Sequence, residues 1–172
     1  MKTTVLCFVL LLLGALRAEA QSTNPDSTED KMGTFPTRIG WVNDYEKLLA
    51  KSDVAKLEKM IADHKKKSTD DIVVVTTKSY APYHEMGSYA KDLATVWGIG
   101  KTKQNNGMMV MLSKTIGDIH LVPDKGLQAI LTDTVCGTII DKQMMSHLDK
   151  EEFGPALIEG VKEIIRTLEA AE

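Results

Sequence analysis

Carboxylate and amide side chains stand beside glycines or at element ends in four segments, and these are the residues best suited to chemistry. The segments are Val42-Asn43-Asp44, Asn105-Asn106-Gly107, Asp124-Lys125-Gly126 and Leu131-Thr132-Asp133. Each supplies side-chain oxygens of the kind that bind Ca²⁺ or Mg²⁺. Ligands of open α/β sheets bind where loops converge at strand ends, so the pattern predicts a divalent-cation cleft. The alternative is that each residue only caps a helix or forms a turn, as Asp133 and Asn106 could.

Other kinds of active site find little support in the sequence. Gly100-Lys101-Thr102 resembles the end of a phosphate-binding P-loop, but that motif needs a glycine where Thr95 stands and must follow a strand. No two of the four histidines have the spacing of metal ligands on one helix. No G-x-S-x-G motif is present. Cys136 lies among apolar residues of a predicted helix, which indicates a buried thiol rather than a nucleophile.

The elements that must position these residues begin with a helix over about 53–67. Ser52 is a good N-cap, and Val54, Leu57 and Ile61 follow at helical spacing. The β-branched run at 72–77 predicts a central strand covered on both faces. A second helix is predicted over 86–97, ended by Gly98.

The second half of the chain predicts a hairpin followed by two helices. An apolar strand over 108–112 is followed by a turn at 116–118 and a strand over 119–122, which should pair antiparallel. Two closing helices are predicted. One contains Val135, Ile139, Ile140 and Met144. The other contains Leu157, Val161, Ile164, Ile165 and Leu168, and Pro155 is tolerable only near its first turn. A parallel crossover between the first two strands then gives an α/β fold with helices on both faces of a short mixed sheet.

The amino terminus has the composition of an export signal. Lys2 precedes an apolar run from Val5 to Leu13, and Ala18-Glu19-Ala20 forms a small-x-small cleavage site. We therefore expect a signal peptide at 1–20, a polar flexible linker at 21–35 and one folded domain at 36–172. With 43% hydrophobic and 26% charged residues and a net charge of -3, the chain indicates neither nucleic acid nor anionic lipid as a partner. No second apolar span follows, so a periplasmic or secreted product without a membrane anchor is expected.

Four blocks of the sequence carry a family resemblance. They are Gly40-Trp41-Val42-Asn43-Asp44 with Leu48-Leu49, Trp97-Gly98-Ile99-Gly100 with Asn106-Gly107, Gly126-Leu127 with Leu131-Thr132-Asp133 and Ile139-Ile140, and Phe153 to Val161. In this order and spacing, over about 40–168, the chain resembles the TPM domain family. The resemblance implies a three-layer α/β/α sandwich, export, and a loop cleft that binds divalent cations. Acid phosphatase activity has been proposed for some members. It also implies Asp44 and Asp133 as metal ligands, with Asn106 beside them.

Several positions depart from the family pattern and lower the charge of the expected cleft. Asn105 stands where the family often has aspartate, and neutral Val122 and Gln128 stand near or at glutamate positions. Asp124 returns one carboxylate, while Lys125 adds a cation that could hold a phosphate. Fewer anionic ligands should weaken Ca²⁺ binding.

Two functions follow as hypotheses. In the first, the protein is an exported module that binds a divalent cation weakly and acts through a protein partner in the cell envelope. In the second, it is a metal-dependent phosphomonoesterase, with Asp44 or Asp133 holding the ion and Lys125 the phosphate.

Overall fold

A four-stranded mixed sheet forms the centre of the fold in this computed structural model, which describes residues 35–101 and 104–171. In chain order the elements are β1 (Val42–Asp44), α1 (Lys51–Lys65), β2 (Asp71–Thr76), α2 (Met86–Trp97), β3 (Gly107–Ser113), β4 (Asp118–Pro123), α3 (Asp133–Ile139), a π-helical turn (Ile140–Met144), α4 (Met145–Leu148) and α5 (Phe153–Glu169). The predicted signal peptide at 1–20, and the predicted linker up to residue 34, lie outside the described residues. No helix within the described ranges is long and apolar enough to cross a bilayer.

The strand order is β1-β2-β3-β4, with β1, β2 and β3 parallel and β4 antiparallel to β3. The predicted crossover and hairpin are therefore confirmed. β1 was not predicted, because three residues are too short to show a pattern. Two edges of the sheet result: the carboxyl edge, where β1, β2 and β3 end, and the amino edge, where β2 and β3 begin and β4 ends.

Both faces of the sheet are covered, as expected for three layers. Alternate residues of β3 divide between the faces. Met108, Val110 and Leu112 pack with residues of α1, α3 and α5, whereas Met109 and Met111 pack with α2. All seven residues of β3 are buried. Fully burying one aliphatic or methionine side chain contributes about 1.5–3 kcal/mol, so this central strand anchors the layers between which any cleft must open.

The predicted helix ends agree with the structure at one end and differ at two N-caps. Gly98 closes α2 in the left-handed conformation with φ 70°, as predicted. The N-cap of α1 is Ala50 rather than Ser52, and it caps without a side-chain hydrogen bond. Thr132, not Asp133, caps α3, because its hydroxyl accepts a hydrogen bond from the Val135 N–H at 3.3 Å.

Phe35 and Pro36 precede β1 and contact α2 and the loop before it. The Phe35 ring lies 6.0 Å from the ring of Tyr83 and 5.3 Å from that of Tyr89. The next residue, Pro36, accepts a hydrogen bond from the Trp97 indole at 2.9 Å. This segment therefore covers part of the α2 side of the sheet.

Candidate cation-binding cleft

Asp124 follows β4 at the amino edge of the sheet, and its carboxylate turns toward the loop that precedes β3. Its backbone N–H donates to the Gly107 carbonyl at 2.8 Å, which extends the β3–β4 ladder by one residue. One carboxylate oxygen accepts a hydrogen bond from the Lys125 N–H at 2.7 Å. The other lies 3.0 Å from the position that a Cβ on Gly100 would take. The carboxylate therefore lies against the point where Gly100, with φ 69°, approaches the Gly107 backbone, whose nitrogen is 2.5 Å from the position that a Cβ would take.

A cavity of about 240 Å³ opens beside this carboxylate, between α2 and the β3–β4 pair. Its polar wall is formed by Lys91 and Thr95, one turn apart on α2, and by Asp124, while Met109 and Val122 form an apolar wall. Lys91 and Thr95 were not among the residues predicted from the sequence. Their only signal is the spacing of four residues on the exposed side of a helix, which many surface pairs share. The cavity lies at strand ends, where the loops before β3 and after β4 meet.

Glycine contacts hold the two loops of the cleft against each other. A Cβ on Gly126 would lie 1.9 Å from the Gln104 carbonyl oxygen. The Gly126 N–H donates to the Asn105 carbonyl at 2.8 Å, and Asn105 itself has a left-handed φ of 48°. Main-chain oxygens of residues 104 and 105 are therefore brought up to the loop that carries Asp124.

Asn106 lies at the same edge, but its amide group is turned toward β2. The side chain is buried, and its NH₂ donates to the Thr69 hydroxyl at 2.7 Å and to Asp70 Oδ1 at 3.2 Å. The other Asp70 oxygen lies 3.0 Å from Nε2 of the buried His64. Asn106 is thus one member of a buried polar network that joins α1, β2 and β3.

Asp44 lies at the opposite, carboxyl edge. The strand register places it level with Thr76 and Leu112, six residues beyond Asn106 along β3, which corresponds to about 20 Å. Its carboxylate accepts hydrogen bonds from the Leu48 N–H at 3.0 Å, the Leu49 N–H at 2.9 Å and the Thr76 hydroxyl at 2.5 Å. Asp44 therefore closes the loop between β1 and α1.

The remaining two candidates, Lys125 and Asp133, lie near the two ends of the loop that joins β4 to α3. Asp133 is exposed in the first turn of α3, whose Cys136 and Ile139 belong to the core on the α1–α5 side of the sheet. Lys125 is exposed and directly follows Asp124. The strand register therefore places Asn106 and Asp124 at one edge, with Lys125 directly following, and Asp44 at the opposite edge. The expectation of one cleft containing all four metal candidates is corrected for Asp44, because the strand register keeps it apart from Asn106 and Asp124.

The donor set suits a weak oxygen site rather than one rich in carboxylates. Within residues 35–101 and 104–171, no group of three or more His, Cys, Asp and Glu side chains is placed to hold a metal ion. Asp124 supplies one carboxylate, and main-chain oxygens of the adjoining loop are close by. The neutral departures Asn105, Val122 and Gln128 all lie at this edge, Gln128 donating to the Pro123 carbonyl at 3.3 Å.

The fold is that of an α/β domain in which loops converge at one edge of the sheet. Residues 42–167 match the family model of the TPM domain, and the chain belongs to that family. No curated protein matches the chain.

Solved structures share the fold. The N-terminal domain of a protein from P. gingivalis, determined by solution NMR, is 24% identical with a TM-score of 0.69, covering 76% of this chain and 83% of that domain. The NMR structure of BA42 protein from the psychrophilic bacterium Bizionia argentinensis is 18% identical with a TM-score of 0.62, covering 72% of this chain and 83% of that one. The N-terminal domain of cg2496 protein from Corynebacterium glutamicum is 18% identical with a TM-score of 0.55, covering 77% and 85%. At these identities the likeness concerns the fold alone.

Proposed function

We propose that this protein is an exported TPM-domain module that binds a divalent cation weakly at the Asp124 cleft and acts through a protein partner in the cell envelope. The observation that carries the proposal is the placement of Asp124. Its carboxylate lines the cavity at the amino edge, where the loops before β3 and after β4 meet.

The chemistry of the donors points to Ca²⁺ or Mg²⁺. Hard cations prefer carboxylate, amide and main-chain oxygens, and Ca²⁺ takes roughly six to eight of them. Asp124 would be the charged ligand, with carbonyl oxygens and water completing the shell. One carboxylate places the expected dissociation constant in the range of extracellular modules, about 10⁻⁴ to 10⁻³ M.

A thermal unfolding experiment tests the cation site. The wild-type protein is first stripped with chelator and then melted with Ca²⁺, Mg²⁺ or Mn²⁺ added to roughly ten times the expected dissociation constant. Binding at that excess adds roughly 1.4 kcal/mol of stability, which raises the melting temperature of a domain of this size by about 4 °C.

Two charge-neutralising variants locate the site. Asp124→Asn keeps the shape of the side chain and should abolish the ion-induced rise. Asp149→Asn removes an exposed aspartate at the opposite edge of the sheet and should leave the rise intact. An equal rise in Asp124→Asn and wild type would remove the cleft from the proposal, and no rise with any ion would remove cation binding altogether.

Export is supported by the sequence pattern of the first twenty residues. Expression in a host with a secretory pathway, followed by N-terminal sequencing of the released protein, should give a chain that begins at Gln21. A product that keeps Met1 and stays inside the cell would contradict export.

A second function, metal-dependent phosphomonoesterase, is favoured by one lysine in the cleft and a second beside Asp124 in the chain. Lys91 lines the cavity and Lys125 is exposed directly after Asp124. A bound ion would supply Lewis-acid chemistry at a phosphoryl oxygen, and the lysines would attract the phosphate. Hydrolysis of p-nitrophenyl phosphate that requires a divalent ion and is lost in Asp124→Asn and Lys125→Ala is the expected result. A clean preparation that hydrolyses none with any divalent ion rejects this function.

A further inference from the structure

A second groove lies at the carboxyl edge of the sheet, at the opposite end from the Asp124 cleft. It has a volume of about 300 Å³ and runs between the β3–β4 turn and the junction of α4 with α5. Ile119, Met145, Leu148 and Phe153 give it an apolar lining. Its rim is charged, and consists of Lys114, Asp118, Asp149 and Glu151.

Apolar side chains are exposed beside this groove. Three large hydrophobic side chains are exposed in the described part of the chain: Ile39, Ile116 and Met145. Met145 lines the groove at 37% exposure, and Ile116, at 43%, sits at the tip of the turn next to it. Clustered exposed apolar side chains rimmed by charge are characteristic of protein interaction sites. Methionine in particular adapts its shape to different partners.

The backbone around the groove is built to present these groups. The π-helical turn Ile140–Met144 directly precedes α4, and across their junction Met144 is fully buried while Met145 is exposed. Such turns occur frequently at functional sites. Glu151 on the rim has φ 59°, in the left-handed region that costs a non-glycine residue energy.

The rim selects a cationic partner. It holds three carboxylates and one ammonium group, so its balance is acidic. The chain's own Lys114 shows that a cation fits there, because its Nζ lies 2.6 Å from Glu151 Oε2 and 5.3 Å from the centre of the Phe153 ring. Asp149 is exposed, and its carboxylate has neither a hydrogen bond nor an ion pair with the described residues. That carboxylate is available to a second cation.

We propose that this groove binds a short segment of a protein partner that combines an apolar side chain with a neighbouring Lys or Arg. The apolar side chain lies on Met145, Leu148 and Phe153, and the cation pairs with Asp149. The inference rests on the partner half of the proposed function and names the chemistry of that partner. The groove and the cation cleft lie at opposite edges of the sheet, so each can fail without the other.

Fluorescence anisotropy with a labelled peptide tests the inference. The probe is Gly-Lys-Leu-Leu-Lys-Gly, and the control peptide has glutamate in place of both lysines. The basic peptide should bind the purified protein, and the acidic peptide should not. Truncating a central apolar anchor typically costs enough binding energy for a loss of about tenfold, which is expected for Met145→Gln. Asp149→Asn should weaken binding by a smaller factor that shrinks as salt is raised.

Matched controls keep the result specific to the groove. Ile39→Gln removes an apolar side chain that is 78% exposed elsewhere, and Asp124→Asn alters the cation cleft. Both should bind the peptide like the wild type. Methyl NMR of the methionines adds a local readout, in which the Met145 resonance should move on titration.

Several results would overturn the proposal. The first is equal binding of both peptides, or no binding of the basic peptide at all. The second is peptide binding that Met145→Gln and Asp149→Asn leave unchanged. The third is a Met145 resonance that does not move on titration. Self-association in sedimentation that Met145→Gln abolishes would make a second copy the occupant and would equally reject the basic segment. Failure of the cation test would not affect the peptide-binding test, because the cation cleft and the groove lie at opposite edges of the sheet.

Discussion

Replacing Asp44 separates a structural role from a metal-binding role, because the two roles predict different behaviour in chelator. The carboxylate accepts three hydrogen bonds, from two backbone N–H groups and from the Thr76 hydroxyl. Asp44→Ala leaves all three donors without this acceptor. At about 1 kcal/mol for each hydrogen bond, the free energy of unfolding should fall by about 3 kcal/mol. Asp44→Asn keeps one oxygen and should lose roughly half as much.

The loss should be present without any metal ion. A fall of about 3 kcal/mol lowers the melting temperature of a domain of this size by about 10 °C. Thermal and urea unfolding followed by circular dichroism, both in chelator, measure this directly. Asp149→Asn is the matched control, since that exposed carboxylate has no partner among the described residues, and it should unfold like the wild type.

One specific result would contradict the structural role of Asp44. If Asp44→Asn unfolds like the wild type in chelator but no longer gains stability from added Ca²⁺, Asp44 is a ligand and not a loop closure. The predicted result is the reverse: reduced stability in chelator, with the ion-induced increment preserved because it arises at Asp124.

Three further outcomes are expected. Gly126→Ala should unfold at lower temperature, because the new Cβ would lie 1.9 Å from a main-chain oxygen. Gly137→Ala has nothing within 4 Å of its Cβ and should add up to about 1 kcal/mol of stability, because alanine is the better helix former. Melting curves of the two variants check this. Burial raises the pKa of the Cys136 thiol to about 11, so iodoacetamide should label the folded protein far more slowly than the unfolded one at pH 8. The stabilisation of the neutral thiol is present below its ordinary pKa and is lost as the pH rises through the folded value, so Cys136→Ser should flatten the alkaline fall in stability. Asn106→Ala should cost about 2 kcal/mol in urea unfolding, because it leaves Asp70 in the buried network without one donor; an unchanged midpoint would contradict that role.

The hairpin and the second helix illustrate how far local patterns reach. The helix at 86–97 was predicted with the bounds it has, because an apolar face and a terminal glycine act over a single turn. The strands at 72–77 and 108–112 agree with the structure within one residue at each end, since their unbroken apolar runs have only the sheet centre to occupy. The π-helical turn and β1 gave no comparable signal, because packing rather than local preference decides both.

The local sequence does not determine which of the candidate site residues lie together. Asp44 and Asp124 look alike in the sequence, as single carboxylates at the ends of elements. The register of four strands placed them at opposite edges. Asn106 lies at the correct edge, yet Thr69 and Asp70 draw its amide away from the cleft.

The sequence by itself determined the family, the α/β class and the order of the longer elements from α1 onward, because apolar periodicity and turn glycines act between near neighbours. Only the tertiary structure decided which oxygens meet. That outcome depends on strand order, register and the layer on which each helix packs, and these are set by the burial of side chains far apart in the chain. For the same reason, the wall formed by Lys91 and the acidic groove around Met145 became visible only when distant segments were brought together.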